Sequence, residues 1–250
     1  MSAIDFGFDF TGRHVLVTGG TRGLGLAVAQ GFAAAGARVS VTGTKILPSL
    51  YDADLSPFDY HQLQLANSEA IDSFVDRIGA VDVLVNAAGA RLSTSLVDHE
   101  REFLCHSARL GFVGPQRLTQ QLRHRLCASP TPGGGAVIHT SHSLAWLELT
   151  LSAADAEREL RSQTAQAGRA WSRIGARVNT VLSPSQVSVP SQQKSALFES
   201  GVSHDTGALL TKLRVAREVV AEQVAPVALF LASAGASSLS GQTMQASVRR

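Results

Sequence analysis

The stretch VLVTGGTRGLGLAVA, residues 15–29, places four glycines between a run of Val and Leu and an alanine-rich amphipathic segment. This order predicts a strand, a tight turn through Gly19, Gly23 and Gly25, and a helix that begins at once. Glycine lets the backbone turn sharply and come close to a phosphate, while the helix N-terminus adds N–H donors and the positive end of its dipole. The stretch therefore predicts a dinucleotide-binding turn in a parallel α/β sheet.

The same alternation of strand and helix continues along the chain. Further apolar runs rich in Val, Leu and Ile have the composition of buried strands; they cover 37–43, 81–89, 135–141 and 176–184. Segments with helical spacing lie between them, at 24–36, 68–79, 98–128 and 153–174, and Gly36 is placed to end the first. Strand followed by helix, repeated, predicts a mostly parallel sheet that helices cover on both faces.

Composition excludes several classes of protein. With 22 basic and 20 acidic residues the net charge is +2, which is too balanced to indicate nucleic-acid binding. We expect no signal peptide and no membrane span, because no long uncharged apolar run occurs. Cys105 and Cys127 form neither a disulfide framework nor a metal motif, so a reducing, cytoplasmic location and no metal site are expected.

The pattern Thr-Gly-x-x-x-Gly-x-Gly at Thr18–Gly25 resembles the short-chain dehydrogenase/reductase family. Other segments resemble the family in the same order, namely VNAAG (85–89), FVGPQRLTQ (112–120), ARVNTVLSP (176–184), and AEQVAPVALFLAS (221–233) with LSGQTM (239–244). The resemblance implies a single Rossmann-like domain over residues 1–250: a doubly wound, mostly parallel seven-stranded sheet with helices on both faces.

The resemblance also implies an assembly. Family helices that correspond to 98–125 and 153–173 pack in homodimers and homotetramers, and a stripe of Leu160, Thr164, Ala167 and Trp171 is compatible with such packing. A homo-oligomer is therefore expected, with a hetero-oligomer containing an active reductase as the alternative.

The resemblance assigns cofactor contacts to the glycine turn, to the end of the second strand and to the turn after the fourth. These residues are Gly19, Thr21, Arg22, Gly23, Leu24, Gly25, Thr44, Asn86, Ala88 and Gly89. The second strand ends in Gly43-Thr44-Lys45 without a carboxylate for a ribose 2′-hydroxyl, and Arg22 lies in the turn, so NADP is favoured over NAD. The alternative is that Arg22 and Lys45 are simply solvated and no dinucleotide binds.

Family members reduce carbonyls with an Asn, a Ser, a Tyr and a Lys. The resemblance places Gly111 at the Asn position, Ala153 at the Tyr position and Glu157 at the Lys position. The chain's two tyrosines, Tyr51 and Tyr60, are expected between the second and third strands, and no lysine occurs between residues 45 and 194. Standard hydride transfer is therefore not expected, because the proton donor and its activating cation are missing.

Two residues near the serine position are the candidate catalytic groups. His142 occupies that position, where an imidazole could exchange a proton near neutral pH, and Ser141 lies beside it. A loop histidine bonded to a backbone carbonyl is the alternative for His142. His139, inside the preceding strand, is expected to be a core residue, and Asp155 is expected to form a capping box with Ser152.

Three functions follow from this pattern. The first is a repurposed enzyme that performs non-redox proton transfer, such as dehydration, isomerisation or cyclisation, on a carbonyl-bearing small molecule. The second is a non-catalytic subunit of a heteromeric short-chain reductase, and the third is an atypical NADP-dependent oxidoreductase.

Overall fold

The computed structural model describes residues 7–89, 106, 109–140, 153–182, 221 and 223–246. Its strands are β1 (His14–Thr18), β2 (Arg38–Gly43), β3 (Asp59–Gln62), β4 (Val83–Asn86), β5 (Gly135–Thr140), β6 (Ala176–Leu182) and β7 (Thr243–Gln245). Its helices are α1 (Gly23–Ala34), α2 (Ser68–Arg77), α3 (Gly114–Gln121), α4 (Arg123–Cys127), α5 (Ala153–Ser172) and α6 (223–232), with short 3₁₀ turns at Pro48–Leu50 and Ala234–Ala236.

The seven strands form one parallel sheet in the order β3-β2-β1-β4-β5-β6-β7. The chain runs outward from β1 to β3 and then crosses to β4, so the strand order reverses between β1 and β4. In open α/β sheets, ligands bind beyond the carboxyl ends of the strands at such a reversal. The predicted doubly wound Rossmann-like fold is confirmed.

Both faces of the sheet are buried, which explains why the strands read as continuous apolar runs. Val17, Val85 and Ile138 lie on one face, in a core cluster that includes residues of α1 and α6. Leu16, Leu84 and Val137 lie on the other, in a cluster that includes residues of α2, α3 and α5. All six side chains are at most 1% exposed.

Near the carboxyl ends, a polar row crosses the whole sheet. Paired registers place one polar residue of each strand side by side, namely His61, Thr42, Thr18, Asn86, His139, Thr180 and Thr243. The row lies two residues beyond the apolar positions Leu16, Leu84, Val137 and Val178, and therefore on the face covered by α2, α3 and α5. The packed core thus gives way to hydrogen-bonding groups at the end of the sheet where a ligand would bind.

Helix ends follow their local chemistry. The Asn67 side chain caps α2 by accepting hydrogen bonds from the N–H groups of Glu69 at 2.9 Å and Ala70 at 3.2 Å. Gly36, just after α1, has a φ of +85°, so the prediction that this glycine ends the first helix is confirmed.

Segment 98–128 is not one continuous helix where the structure describes it. A π-helical turn spans Arg109–Val113, α3 follows from Gly114, and α4 begins after a break at Leu122. Only glycine fits at position 114, directly after the π-helical turn, because a Cβ there would collide with the backbone carbonyl of Leu65. The apolar periodicity continues unchanged across the break at Leu122, so the sequence pattern could not reveal the break.

The position of Tyr60 also differs from the expectation. Tyr60 lies within β3, paired with Val41 of β2, and not before the third strand. Tyr51 does lie in the connection, after the 3₁₀ turn Pro48–Leu50. The β3 sequence DYHQ is only partly buried, which is why its alternation carried little signal.

The stripe on α5 faces this chain's own sheet. Leu160, Thr164 and Trp171 are 4–6% exposed, and the Thr164 hydroxyl lies 2.8 Å from the hydroxyl of Thr180 on β6. The stripe therefore gives no support to the expected assembly, because helical periodicity identifies a buried face without saying what buries it. The solvent side of α5 carries ion pairs, Arg158 with Asp155 and Arg161 with Glu157.

The helix end opposite the ligand edge is held by a buried cation. Arg177, at the start of β6, is 2% exposed, and its guanidinium donates to four backbone carbonyls that follow or end α6: Leu231 at 2.6 Å, Ala236 at 2.8 Å, Ala232 at 3.1 Å and Ser233 at 3.5 Å. Burial lowers the pKa of Arg177. A cation at a helix C-terminus also opposes the negative end of the dipole.

The described helices include none long and apolar enough to cross a membrane.

Candidate dinucleotide site

The turn after β1 is pressed against the turn after β4. Gly19 has a φ of +67°, and a Cβ there would lie 2.8 Å from Cα and 3.0 Å from N of Ala88. The Thr18 hydroxyl accepts hydrogen bonds from the N–H groups of Ala87 at 3.2 Å and Ala88 at 3.3 Å. The two predicted cofactor segments therefore meet at the strand-order reversal, and only glycine fits at position 19.

The other two glycines of the turn have separate tasks. A Cβ on Gly25 would collide with the carbonyl of Gly19, so this glycine allows α1 to pack onto the turn. Gly23 begins α1 with a φ of +52°, and a Cβ there would have no heavy atom within 4 Å. The first turn of α1 has no side-chain cap from Arg22. Open space beside uncapped helical N–H groups fits a pyrophosphate, which such groups bind.

Of the remaining residues predicted to contact the cofactor, Thr21 and Leu24 are 6% and 8% exposed and pack inward, whereas Arg22 and Thr44 are exposed. Gly89 is the last described residue after β4 and is partly buried. The structure thus brings this set to the carboxyl edge of β1, β2 and β4, as the sequence arrangement requires.

Asn86, at the end of β4, belongs to a buried hydrogen-bond chain. Its amide nitrogen donates to the hydroxyl of Thr119 at 3.2 Å and lies 3.4 Å from Nδ1 of His139. The Thr119 hydroxyl donates to the carbonyl of Pro115 at 2.6 Å. These partners make Nδ1 of His139 an acceptor and leave its proton on Nε2. Asn86 Oδ1 is buried without a hydrogen-bond partner in the described part of the chain.

His139 is neutral at physiological pH. Burial lowers its pKa to about 4, because the packed strands on either side solvate an imidazolium poorly. It lies beside Asn86 and Thr180 in the polar row. The expectation of a satisfied core residue agrees with the hydrogen bonding, since one ring nitrogen is tied to the amide of Asn86, although the residue as a whole is only partly buried.

A cluster that the sequence did not indicate surrounds the end of β2. A Cβ on Gly43 would collide with the hydroxyl of Tyr51 and lie 2.7 Å from the methyl of Thr21. The Tyr51 hydroxyl accepts the N–H of Lys45 at 2.9 Å, and the Lys45 ammonium lies 4.8 Å from the centre of the Tyr51 ring. Lys45 is therefore not the simply solvated cation that one alternative supposed. The residues around Tyr51 form no motif that predicts this contact. In the sequence, the one indication is Gly43 at the end of β2, where a missing side chain leaves room for another residue.

The positions compared with the catalytic residues of the family are only partly described. Gly111 is buried in the π-helical turn. Ala153 begins α5, and Glu157, one turn later, accepts two hydrogen bonds from Arg161 at 2.6 and 3.0 Å. Asp155 pairs with Arg158 at 2.8 Å, whereas its expected partner Ser152 lies outside the described residues.

His142 and Ser141 also lie outside the described residues, so their predicted role stays a prediction. β5 ends at Thr140, directly before them in the chain. Within the described ranges, no group of three or more His, Cys, Asp or Glu side chains is arranged to hold a metal ion.

Comparison with known proteins decides the family. The model of a family described as Enoyl-(Acyl carrier protein) reductase matches residues 19–247. The chain belongs to the short-chain dehydrogenase/reductase family. Its members typically bind NAD or NADP.

Several named relatives of this short-chain dehydrogenase/reductase match along almost their whole length. D-xylose 1-dehydrogenase of Caulobacter vibrioides is 31% identical, covering 92% of each chain. D-threitol dehydrogenase of Mycolicibacterium smegmatis is 26% identical, covering 96% of this chain and 93% of the relative. Ligand-free aldohexose dehydrogenase of Thermoplasma acidophilum superposes with a TM-score of 0.68 at 17% identity, covering 94% and 92%, which supports the fold.

These relatives correct the functional expectation. The sequence analysis favoured non-redox proton transfer, in the form of dehydration, isomerisation or cyclisation. The relatives are named as dehydrogenases, including an NAD-dependent glycerol dehydrogenase of Listeria innocua at 26% identity, and they point to redox catalysis. The expectation was wrong because it inferred a change of reaction from the change at the proton-donor position alone.

Proposed function

We propose that this short-chain dehydrogenase/reductase is an NADP-preferring oxidoreductase that interconverts a hydroxyl and a carbonyl group on a small polyhydroxylated molecule. The observation that carries the proposal is the close contact between Gly19 and Ala88, with open space at Gly23 and the α1 N-terminus beside it. The substrate class is taken from relatives named for xylose, threitol and glycerol.

The chain's own groups account for holding the dinucleotide. The N–H groups of the first turn of α1 would bind the pyrophosphate, and Gly23 leaves the approach open. The uncommitted Oδ1 of Asn86 and the turn at Ala88 and Gly89 would face the nicotinamide half, beyond the reversal of strand order. When bound, the dinucleotide supplies or accepts the hydride.

The proton has to move without a tyrosine and a lysine in the usual places. Tyr51 and Tyr60 both lie in or before β3, on the far side of the sheet from β5 and β6. We assign the proton to His142, which follows β5 by two residues and would give it to, or take it from, the substrate oxygen. Ser141 beside it would donate a hydrogen bond to the same oxygen.

The preference for NADP rests on charge. β2 ends in Gly43, followed by Thr44 and Lys45, and the exposed Arg22 lies in the glycine turn. These positions hold no carboxylate that could accept a hydrogen bond from a bare ribose 2′-hydroxyl, whereas their two cations suit a 2′-phosphate.

We further propose that the protein forms a homodimer or a homotetramer. The exposed side of α5 is polar: its ion pairs lie in the first two turns, and the uncharged residues Ser162, Gln166 and Ala170 follow them. Such a face suits a hydrogen-bonded contact with a second copy better than an apolar one. Light scattering coupled to size exclusion would report a dimer or tetramer; a monomer at working concentration would contradict the assembly and leave the activity proposal intact.

The test of function measures reduction of NADP⁺ and NAD⁺ by a panel of aldoses and polyols that contains xylose, threitol and glycerol. We expect reduced nicotinamide to form with at least one of them, faster with NADP⁺. His142→Ala should lower kcat by about 10²–10⁴, while His106→Ala, at another histidine of the chain, should leave the rate unchanged.

The pH profile separates a proton carrier from a structural histidine. If His142 carries the proton, the limb of kcat that titrates near neutral pH disappears in His142→Gln. Unchanged turnover and profile in His142→Ala would remove it from the mechanism. Bound nucleotide with no turnover across the panel would contradict the oxidoreductase proposal.

A further inference from the structure

We propose that His139 is a positioning residue of the dinucleotide site, because it fixes the side-chain amide of Asn86 and, through Asn86, the turn 86–89 that follows β4. This inference rests on the proposed function, since the turn that it concerns would contact the cofactor. We call the side chains of Asn86, Thr119 and His139 the amide clamp.

The hydrogen bonds of the amide clamp have a fixed direction. The carbonyl of Pro115 can only accept, and it takes the hydroxyl proton of Thr119 at 2.6 Å. The Thr119 oxygen therefore accepts from the amide nitrogen of Asn86 at 3.2 Å. The second N–H of that nitrogen remains for Nδ1 of His139 at 3.4 Å, which accepts it.

The amide clamp rejects the reversed amide, in which the oxygen and nitrogen of Asn86 exchange places. That amide would turn an acceptor towards the Thr119 oxygen, whose proton is already donated, and towards the bare Nδ1 of His139. Burial lowers the pKa of His139 to about 4, so Nδ1 keeps its lone pair at physiological pH. His139 therefore selects one of two amide orientations that have the same shape.

The orientation of Asn86 matters because this residue begins the turn after β4. Its backbone carbonyl accepts the hydroxyl of Thr140, on β5, at 3.2 Å. On the β1 side, the Thr18 hydroxyl accepts the N–H groups of Ala87 at 3.2 Å and Ala88 at 3.3 Å. Both neighbouring strands thus hold the backbone of the turn, while the amide clamp holds its first side chain.

The turn has no room to move against the glycine turn after β1. A Cβ on Gly19 would lie 2.8 Å from Cα of Ala88, so the two backbones are already in close contact. A rotation at Asn86 would carry Ala88 into Gly19 or away from it. The amide clamp therefore connects His139 to the point where the two predicted cofactor segments meet.

Calorimetry with NADP⁺ on two variants of matched shape tests the inference without turnover. Leucine and asparagine have the same branched outline, but only asparagine offers an acceptor, its Oδ1, close to where Nδ1 of the imidazole lies. We expect His139→Leu to weaken NADP⁺ binding about fivefold to tenfold, which is the order of effect of one hydrogen bond. His139→Asn should restore the affinity to within about twofold.

Thr180→Val is the control for a general loss of stability. Thr180 is the neighbour of His139 in the polar row, on β6, but its hydroxyl contacts that of Thr164 at 2.8 Å and not the turn. The control should lower the urea midpoint and still bind NADP⁺ within about twofold of the unchanged protein. A residue that only stabilises the fold would give the same result as this control.

Two further measurements test whether His139 acts through Asn86. In an Asn86→Ala background, His139→Leu should have no further effect on NADP⁺ affinity, because the amide that His139 fixes is gone. Nitrogen-15 NMR of the unchanged protein needs no folded variant of Asn86. It should show His139 as the neutral tautomer with its proton on Nε2, and a protonated Nδ1 would reverse the amide clamp and overturn the inference.

The remaining outcomes separate the inference from the proposed function. Unchanged NADP⁺ affinity in His139→Leu, a loss that His139→Asn does not restore, or the full effect of His139→Leu in the Asn86→Ala background would each overturn the inference and leave the proposed function in place. If the unchanged protein binds neither NADP⁺ nor NAD⁺, His139 has no dinucleotide site to position, and both fail.

Discussion

Three glycine-to-alanine variants in the turn after β1 test whether its geometry is as described. At Gly19 the new methyl meets the backbone of Ala88 at 2.8–3.0 Å and the residue must keep a φ of +67°. Overpacking costs about 1–3 kcal/mol and a left-handed alanine about 1–2 kcal/mol, so Gly19→Ala should lose about 2–5 kcal/mol of unfolding free energy.

The other two variants separate these two costs. Gly23 has a φ of +52° and open space around the methyl, so Gly23→Ala should lose only about 1–2 kcal/mol. Gly25 has no positive φ but meets the backbone of Gly19, its carbonyl carbon at 2.9 Å, so Gly25→Ala should lose about 1–3 kcal/mol, partly offset by better helix propensity.

Urea denaturation at fixed pH measures all three losses, and calorimetry with NADP⁺ measures binding. Gly19→Ala should also abolish nucleotide binding, because the turn cannot keep its contact with Ala88. The reasoning would be refuted if Gly23→Ala were as destabilised as Gly19→Ala, or if Gly19→Ala bound the nucleotide normally.

Three further changes probe the scaffold around the site. Arg177→Met should cost about 3 kcal/mol in urea denaturation, because four carbonyls at the end of α6 lose a charged donor; a loss below about 1 kcal/mol would show that water replaces it. The His139 pKa of about 4 lies below its value in the unfolded chain, so the unfolded chain binds the extra proton as the pH falls. The free energy of unfolding should therefore fall by up to about 3 kcal/mol between pH 6.5 and pH 4, and His139→Gln should flatten this slope. An NMR titration of His139 with a midpoint near 6.5 would contradict the prediction. Thr164→Val should cost about 1–2 kcal/mol by leaving the Thr180 hydroxyl unpaired, and adding Thr180→Val should recover part of the loss; strictly additive losses would mean that the pair is not coupled.

The sequence predicted the features that depend on local chemistry. Gly19, Gly23 and Gly25 identify the turn, because a backbone that bends before a helix needs residues without a side chain at fixed offsets. The buried strands were equally visible as apolar runs, since a sheet covered on both faces admits few polar residues. The family resemblance then supplied the number of strands and their mostly parallel arrangement, whereas the order of the strands came from the structure.

Features that depend on distant contacts were not predictable. Tyr51 packs on Gly43 across the seven residues 44–50, and no periodicity connects the two positions. The α5 stripe was recognised as apolar, but only the register of Thr164 against Thr180 shows that the chain's own sheet covers it. The helical pattern records neither the break at Leu122, nor the π-helical turn Arg109–Val113, nor the close contact of Gly114 with Leu65 after β3.

The central claim is tested most directly by the transfer of deuterium to NADP⁺ from a polyol or aldose that carries deuterium on the carbon to be oxidised. Mass spectrometry of the nicotinamide detects even a slow single turnover. The account predicts labelled reduced nucleotide, formed by the unchanged protein and lost in Gly19→Ala. Unlabelled nucleotide recovered from a protein that demonstrably binds it, with every sugar and polyol of the panel, would contradict the claim that this chain carries out redox chemistry.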